Sequence, residues 1–392
     1  MKILFLCGSL EPGRDGVGDY TRRFVAELNK LGHDSAALAI HDKHIPCGSD
    51  DIARTPSECL SKTRAIRFSS MHSWERRLAP IDGFLDEIRP DWTSFQYVPH
   101  GFHPKGLPWL LPKRLARLRD SGRRHLMFHE LWVRSKGLIQ PKASLLSMLQ
   151  RLIARKLVTH LHPEIVHTST PVYQSRLQEI GIHCGVLPLL SNIPIHHPTQ
   201  TSRDSLLDSV LPGAAEQAVW IFVVFGSLRR AGFSPDLMPK LEAARDLASK
   251  SHCIVLSIGR VGEEGDSIWN ALTTVGLPRF SFRKFGELPP EDVSSFFQCA
   301  DFGIASTPAH LLGKSGSVSA MRSHGLPVIC HGAPDFPADR LISAGSEAFL
   351  NSNAADFSER LACTSRGVAI DPAGFIARQF VSELQSRSSH HE

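Results

Sequence analysis

Residues 2–40 decide the fold class of this chain and read KILFLCGSLEPGRDGVGDYTRRFVAELNKLGHDSAALAI. Lys2–Cys7 is a continuous apolar run that ends at a glycine, which is the pattern of a strand buried on both faces of a parallel sheet. Apolar residues then recur at helical spacing over Tyr20–Leu31, and Gly32 stands where a helix end commonly places glycine. Because Ser35–Ile40 resumes an apolar strand, the stretch predicts one β/α/β unit.

The same alternation continues along the rest of the chain. Residues 42–75 are polar and irregular, and we interpret them as loop with at most one short helix. Later apolar runs predict strands at 92–98, 125–128, 165–167 and 185–187, and then at 218–226, 253–258, 280–285, 302–305 and 326–330. The proline- and hydroxyl-rich stretch 193–212 between these two series has the composition of a linker.

These patterns predict an α/β protein of two Rossmann-like domains that face each other across a cleft. The first domain spans 1–192, a linker spans 193–215, and the second domain spans 216–392, with a C-terminal helix that can cross back to the first. In such sheets ligands bind at the carboxyl ends of the strands, so the cleft is the expected site.

Composition narrows the class of protein. With 42% hydrophobic and 21% charged residues, the 392-residue chain has ordinary globular composition, which excludes disorder, collagen and coiled coil. The apolar run Ala218–Phe225 is far shorter than the roughly 20 residues of a membrane-spanning helix, and the N-terminus lacks a signal-peptide pattern. The eight cysteines form no CxxC pair, which favours free thiols and a cytoplasmic protein. The net charge of +5 suits phosphorylated small molecules or anionic lipid and is too small to indicate nucleic acid.

The glycine-rich loop Gly8–Tyr20 leads from the first strand into the first helix. Backbone N–H groups there could approach a phosphate or a sugar hydroxyl, although a plain turn is the alternative. A dehydrogenase GxGxxG fingerprint fits poorly, because the strand ends well before Gly16 and Thr21 takes the third glycine position. Asp42 could still act as the ribose-binding acid of a nicotinamide oxidoreductase, so this alternative stays open.

Three further motifs supply candidate site residues. His129 directly follows a strand and could hydrogen bond a sugar hydroxyl, although a lone histidine is more often structural. Arg229 and Arg230 follow another strand, and their guanidinium groups suit diphosphate oxygens unless they are simply a solvated pair. Gly313–Ser317, with sequence GKSGS, offers a lysine, two hydroxyls and helix N-terminal amides as an anion cradle, or it only caps the helix.

Several chemistries lack their motif in this sequence. There is no DxD, no HExxH and no His/Cys cluster, so we predict no metal; GxxxxGK[ST] and GxSxG are also absent, which disfavours Walker-type ATP hydrolysis and an α/β-hydrolase. Basic stretches at 113–124 and 151–156 could lie on an anionic membrane, although a solvated helix face explains them as well.

Taken together, these residues resemble the GT-B glycosyltransferases, in particular the retaining family-four group that uses nucleotide-sugar donors. The segments that carry the resemblance are Lys2–His33, Arg89–Asp91, Gln96–Tyr97, Leu187–Pro194, Phe285–Pro289 and His324–Ile329. The resemblance implies transfer of a sugar from a nucleoside diphosphate to an acceptor hydroxyl, with retention and without a metal or other cofactor. The acceptor would be a glycan or lipid-linked molecule, reached in the cytoplasm or at the inner face of the membrane.

The resemblance also implies roles for particular residues. The first glycine loop would border the donor phosphates, His129 would approach the donor sugar as the catalytic candidate, and the backbone of the 286–288 turn would read the base. The donor-binding candidates are Gly16, Gly18, Arg229, Arg230, Gly286, Leu288, Lys314, Ser315, Gly316 and Ser317.

The chain departs from the family pattern at one important place. The usual pair of glutamates, eight residues apart, is replaced by Leu312 and Ala320, and Lys314 is the predicted substitute cation. A non-catalytic GT-B protein that binds a nucleotide sugar is therefore an alternative, beside the less favoured NAD(P)-dependent oxidoreductase.

Overall fold

The structure is a computed structural model that describes residues 1–45, 52–54, 64–120, 122–133, 141–196, 203–210, 217–230, 236–274, 277–332 and 349–388. Packing divides the chain into two compact units. The first unit comprises Met1–Leu190 and Ala373–Glu392, and the second comprises Ser191–Pro372. Each is an α/β domain built on one sheet.

The sheet of the first unit runs in the order β3-β4-β2-β1-β5-β6-β7-β8 over the described residues, and all its neighbours are parallel except β3, which is antiparallel to β4. Its strands are β1 (Lys2–Cys7), β2 (Asp34–Asp42), β3 (Ile52–Arg54), β4 (Ala65–Ser69), β5 (Trp92–Tyr97), β6 (Arg123–Phe128), β7 (Ile165–Thr168) and β8 (Gly185–Val186). Its helices before residue 191 are α1 (Gly16–Lys30), α2 (Trp74–Ile88), α3 (Pro99–Phe102), α4 (Leu111–Leu115), α5 (Pro141–Leu161) and α6 (Pro171–Gln178).

The predicted opening β/α/β unit is confirmed. β1 is buried from Ile3 onward and pairs in parallel with β2, as the continuous apolar run requires. Residues 42–75, which the sequence predicts as loop, instead include β3, β4 and the start of α2, and residues 46–51 and 55–63 lie outside the described part of the chain. Two of the apolar side chains of β4, Ile66 and Phe68, are buried in the core beside α2.

The sheet of the second unit runs in the order β11-β10-β9-β12-β13-β14, with every pair parallel. Its strands are β9 (Val219–Phe225), β10 (His252–Ile258), β11 (Phe280–Gly286), β12 (Phe302–Ile304), β13 (Val328–Cys330) and β14 (Phe349–Asn351). Its helices are α7 (Arg203–Val210), α8 (Leu237–Leu247), α9 (Gly262–Thr274), α10 (Pro290–Cys299), α11 (Gly316–Ser323) and α12 (Phe357–Cys363), with a 3-10 helix at Ala309–Lys314.

Two segments at the predicted domain boundaries each pack into one of the units. The stretch 193–215, predicted as a linker, contains α7, whose Leu206 and Leu207 are buried, and it belongs to the second unit. The last helix, α13 (Ala373–Ser388), belongs to the first unit. Its Phe380 ring lies 6.1 Å from the ring centre of Phe5 and 5.2 Å from that of Phe24, so the helix completes the first core.

Candidate functional site

Three glycines line the carboxyl edge of the second sheet. Gly226, Gly259 and Gly286 end the neighbouring strands β9, β10 and β11, with φ angles of 82°, 90° and 73° that L side chains rarely adopt. The Gly226 amide donates to Ile258 at 2.8 Å, and a Cβ on Gly259 would lie 3.3 Å from the Gly226 Cα. The three strand ends therefore form a rim of bare backbone, at the edge where α/β sheets bind ligands.

Hydroxyl groups cluster beside this rim at the end of β12. Ser306 donates to the Ser227 carbonyl, and Thr307 donates to the Ser315 hydroxyl at 3.2 Å. Ser315 caps α11, and its hydroxyl lies 3.0 Å from that of Ser317. The structure thus brings the GKSGS motif to the strand end that precedes the two arginines, because a Cβ on Gly226 would lie 4.0 Å from the Ser317 Cβ.

The other predicted donor-binding residues of this unit lie along the same edge. Arg229 and Arg230 are exposed just beyond β9, and the Arg230 amide donates to Glu264 at the start of α9 at 3.1 Å. Lys314 ends the 3-10 helix directly before Ser315. Gly286 belongs to the rim, two strands from β9, and the half-buried Leu288 follows it.

Sequence reasoning missed Gly259, Ser306 and Thr307. Each of them lies within three residues of the carboxyl end of a predicted strand. The rule that ligands bind at carboxyl ends could therefore have found them, had it been applied to every strand rather than to those followed by charged residues.

The glycine loop of the first unit is shaped by internal contacts. The Asp15 side chain accepts hydrogen bonds from the amides of Val17 at 2.8 Å and Gly18 at 3.1 Å, which places a carboxylate on the N-terminus of α1. A Cβ on Gly18 would lie 2.5 Å from the Ser9 carbonyl oxygen, whereas nothing lies within 4 Å of a Cβ on Gly16. Close packing of α1 on the loop explains the glycine at 18.

Asp42 uses its carboxylate in hydrogen bonds that hold this loop. It is fully buried, and its carboxylate accepts hydrogen bonds from the amides of Leu10 and His44 at 3.0 Å and from Arg67 Nε at 2.7 Å. Burial alone would raise its pKa, but these hydrogen bonds hold the pKa of Asp42 below its ordinary value. An ionised, internally paired carboxylate argues against Asp42 as a ribose-binding acid.

His129 directly follows β6 and is buried, with 4% of its surface exposed. Its Nε2 lies 2.7 Å from Gln96 Oε1, and its ring meets the Tyr20 ring edge-on, with centres 4.8 Å apart. The Tyr20 hydroxyl is buried without a hydrogen-bond partner among the described residues. Burial lowers the pKa of His129 to about 3, so the imidazole is neutral at physiological pH.

A buried polar chain continues from Gln96 across the sheet to α13. Gln96 Nε2 donates to Ser94 Oγ at 2.6 Å, and that hydroxyl lies 2.7 Å from His125 Nδ1. His125 Nε2 is 3.1 Å from His167 Nδ1, and His167 Nε2 is 2.5 Å from Glu383 Oε2. Residues on β5, β6, β7 and α13 therefore share one hydrogen-bonded path.

The two ends of this path have defined hydrogen-bonding roles. Although burial alone would raise the pKa of Glu383, hydrogen bonds from His167 and Gln379 hold it below its ordinary value, so the ionised carboxylate can only accept. At the other end of the path, Gln96 donates through Nε2 to Ser94, and its Oε1 can only accept. The neutral His129 therefore carries its proton on Nε2 and keeps Nδ1 as an acceptor.

The described residues contain neither a cluster of metal ligands nor a membrane-spanning helix. No group of three or more His, Cys, Asp or Glu side chains is arranged to hold a metal ion there. Within the same residues, no helix combines the length and apolar character needed to cross a bilayer.

Comparison with known proteins identifies the fold. No model of a known protein family matches the sequence, and no curated protein does. The structure is similar to a putative UDP-N-acetylglucosamine 2-epimerase from Listeria monocytogenes, with a TM-score of 0.55 and 13% identity over 100% of this chain and 97% of that one. The ADP- and acarbose-bound catalytic domain of starch synthase IV from Arabidopsis thaliana has a TM-score of 0.55 and 12% identity over 99% of each chain. A glycosyltransferase from Rickettsia africae has a TM-score of 0.50 and 12% identity over 96% of this chain and 93% of that one. The chain therefore has the GT-B fold, which confirms the predicted fold class.

Proposed function

We propose that this protein is a glycosyltransferase that moves a sugar from a nucleoside diphosphate sugar to an acceptor hydroxyl, with retention and without a metal. The observation that carries the proposal is the carboxyl edge of the second sheet, where bare glycine backbone, four hydroxyls and the start of α11 meet. The Arabidopsis neighbour was solved with ADP, which is the kind of ligand that such an edge fits.

The diphosphate lies at the start of α11 in this proposal. Ser315, Gly316 and Ser317 supply hydroxyl and amide donors at a helix N-terminus, which favours phosphate oxygens. Arg229, Arg230 and Lys314 supply the positive charge that would otherwise come from a metal. The backbone at Gly286 and Leu288 reads the base, and the loop with Gly16 and Gly18 borders the donor.

The reaction exchanges one bond at the anomeric carbon for another. The bond from that carbon to the diphosphate oxygen breaks, a bond to the acceptor oxygen forms, and the acceptor proton passes to the leaving diphosphate. Cations and amides that stabilise the diphosphate lower this barrier, because negative charge develops on it. His129 Nδ1 accepts a hydrogen bond from a sugar hydroxyl, and the nearby Tyr20 hydroxyl, which has no partner among the described residues, can donate one.

A second candidate is a GT-B protein that binds a nucleotide sugar without transferring it. Leu312 and Ala320, which stand where the family carries glutamates, are both buried, with 1% and 0% exposed. Neither can supply the missing carboxylates, and this observation favours the non-catalytic alternative.

Calorimetric titration of the full chain with UDP, GDP, ADP, TDP and their common sugars, with NAD and NADP alongside, tests the donor site. We expect one nucleoside diphosphate to bind selectively and the double variant Ser315→Ala, Ser317→Ala to weaken it about tenfold or more, since each hydroxyl bonds a charged group. Ser267→Ala, an exposed serine on α9, is the matched control. Binding of NAD(P) alone would contradict the proposal.

Product analysis then separates the two candidates. Incubation with the donor that binds, followed by NMR, should detect a transferred sugar with the donor's anomeric configuration. Binding without any turnover would favour the non-catalytic candidate, and an inverted product would contradict retention.

A further inference from the structure

The first unit has a pocket of about 280 Å³ at the carboxyl end of β2. The start of α2 and the segment 102–114 form its other walls, so it opens at the ligand-binding edge of the sheet. The polar lining is mostly basic, with Arg77, Arg114, His41 and His103.

Two guanidinium groups supply the charge of this pocket. Arg77 is 5% exposed, and it donates to the carbonyls of Ile40 and Ser73 rather than to a carboxylate. Arg77 and Arg114 each lie 5.7 Å from the centre of the Trp74 ring. Neither belongs to an ion pair in the described part of the chain.

The titratable groups around the pocket do not neutralise the positive charge of Arg77 and Arg114. Glu75, exposed at the start of α2, is the acid whose field reaches both arginines. Burial and the two arginines lower the pKa of His41 to about 4, against an opposing effect of Asp42, so His41 is neutral near pH 7. A buried cation without a carboxylate is stabilised by an anionic ligand, and phosphate oxygens match the guanidinium fork.

An apolar strip leaves the pocket on one side. Trp109 and Leu110 line the pocket with 42% and 54% of their surfaces exposed, and Lys156 Nζ of α5 lies 4.0 Å from the centre of the Trp109 ring. Residues preceding Lys156 on α5 at spacings of three and four share its helical face. They are Leu145, Met148 and Leu152, with exposures of 55%, 51% and 37%.

The surface around this strip carries one sign of charge. Residues 99–118 and 141–161 contain eight lysines and arginines and no aspartate or glutamate. Exposed apolar side chains flanked by unopposed cations are the features of a surface that lies on an anionic membrane. A soluble phosphorylated sugar would use the two arginines and leave the strip in water.

We propose that the pocket holds the phosphate of an anionic membrane lipid between Arg77 and Arg114, with the hydrocarbon chain along Trp109, Leu110 and the strip on α5. If the function proposed above holds, on which this step rests, the lipid headgroup also carries the hydroxyl that accepts the sugar. The first unit is thereby the acceptor unit of a lipid-modifying enzyme.

Sedimentation of the full chain with vesicles tests the lipid. Vesicles of phosphatidylcholine alone should bind weakly, and mixed vesicles of phosphatidylcholine and phosphatidylglycerol should bind strongly and lose binding as salt rises. Arg114→Gln should weaken that binding about tenfold, while Arg117→Gln, which removes the same charge from the same segment outside the pocket, should weaken it less. Equal loss in both variants would overturn the pocket in favour of a diffuse charge effect.

Two further binding measurements distinguish the phosphate of a lipid from a soluble phosphate. Monomeric short-chain phosphatidylglycerol should bind more tightly than glycerol 3-phosphate or inorganic phosphate, and the double variant Trp109→Ala, Leu110→Ala should remove that advantage. Equal binding of all three probes would overturn the lipid and leave a soluble anion site. Thermal unfolding of each variant establishes that it is folded.

Nucleotide titration of the same preparations keeps this inference distinct from the proposed function. Nucleotide binding without lipid binding overturns the lipid inference alone. Lipid binding without any nucleotide binding supports the pocket and contradicts the glycosyltransferase.

Discussion

At the carboxyl edge of the first sheet, Asp42 and His129 are buried and hydrogen bonded to other groups of the chain. At the same edge of the second sheet, three strands end in glycines with positive φ, and hydroxyls of Ser315 and Ser317 stand beside them. Both edges follow apolar strands of one architecture. They differ because Asp42 and His129 at the first edge are hydrogen bonded to groups of the chain itself, whereas the second edge presents backbone and small hydroxyls.

This difference predicts where substitutions act. Changes at Gly18, His129 and Glu383 in the first unit should lower the stability of the fold, since they break internal packing or leave a buried polar group unpaired. Changes at the second edge should lower ligand affinity with little change in stability. The following experiments test that division, from the largest expected effect to the smallest.

Gly18→Ala should lower the free energy of unfolding by about 3 kcal/mol, because a Cβ 2.5 Å from the Ser9 carbonyl oxygen forces the backbone to shift. Gly16→Ala, two residues earlier with nothing within 4 Å, is the control and should change it by less than about 1 kcal/mol. Urea denaturation measures both. Equal effects would mean that the loop is not held by packing.

Acidification should weaken the first unit through His129. The pKa of about 3 in the folded chain lies below the ordinary value of 6.5, so the unfolded chain binds more protons between these values and stability falls as pH falls. From pH 6.5 to pH 5, His129 alone accounts for about 1.6 kcal/mol. Denaturation of wild type and His129→Gln across this range should give a shallower slope in the variant; equal slopes would contradict a neutral buried imidazole.

Glu383→Ala should cost about 1.5 kcal/mol, because the buried Nε2–H of His167 loses its acceptor. Nitrogen-15 NMR should find the neutral His129 protonated on Nε2 in the wild type, because Gln96 Oε1 accepts from that nitrogen. Ser382→Ala, on the exposed side of α13, should change neither stability nor tautomers. Any other tautomer of His129 in the wild type would contradict the hydrogen bond to Gln96.

Thr307→Val should lower stability by only about 0.5 kcal/mol, since its single hydrogen bond to Ser315 is half-buried. Its effect should appear in nucleoside diphosphate affinity, measured by calorimetry. Thr273→Val, which removes a comparable hydroxyl from α9, should leave affinity unchanged. A large loss of stability with normal affinity would assign the hydroxyl cluster to folding.

The sequence predicted those parts of the fold that depend on local pattern. The β1–α1–β2 unit and the later alternation follow from apolar runs of strand length and helical spacing, which need no distant partner. The carboxyl-end rule also led to the GKSGS motif and to His129, because each follows an apolar strand.

The parts that escaped prediction depend on contacts between distant residues. β4 contains Arg67, a residue that weakens any strand pattern, and it is buried because it pairs with Asp42 and Glu11. The polar path joins Ser94 to Glu383, so no window of sequence could reveal it.

Amide hydrogen exchange of the full chain, with and without the nucleoside diphosphate that binds most tightly, tests the central claim most directly. We predict that the ligand slows exchange in 226–230 and 306–318, at the edge of the second sheet, while strands β1 and β5 of the first keep their rates. Unchanged exchange in 306–318, with protection elsewhere or nowhere, would contradict a donor site at the start of α11.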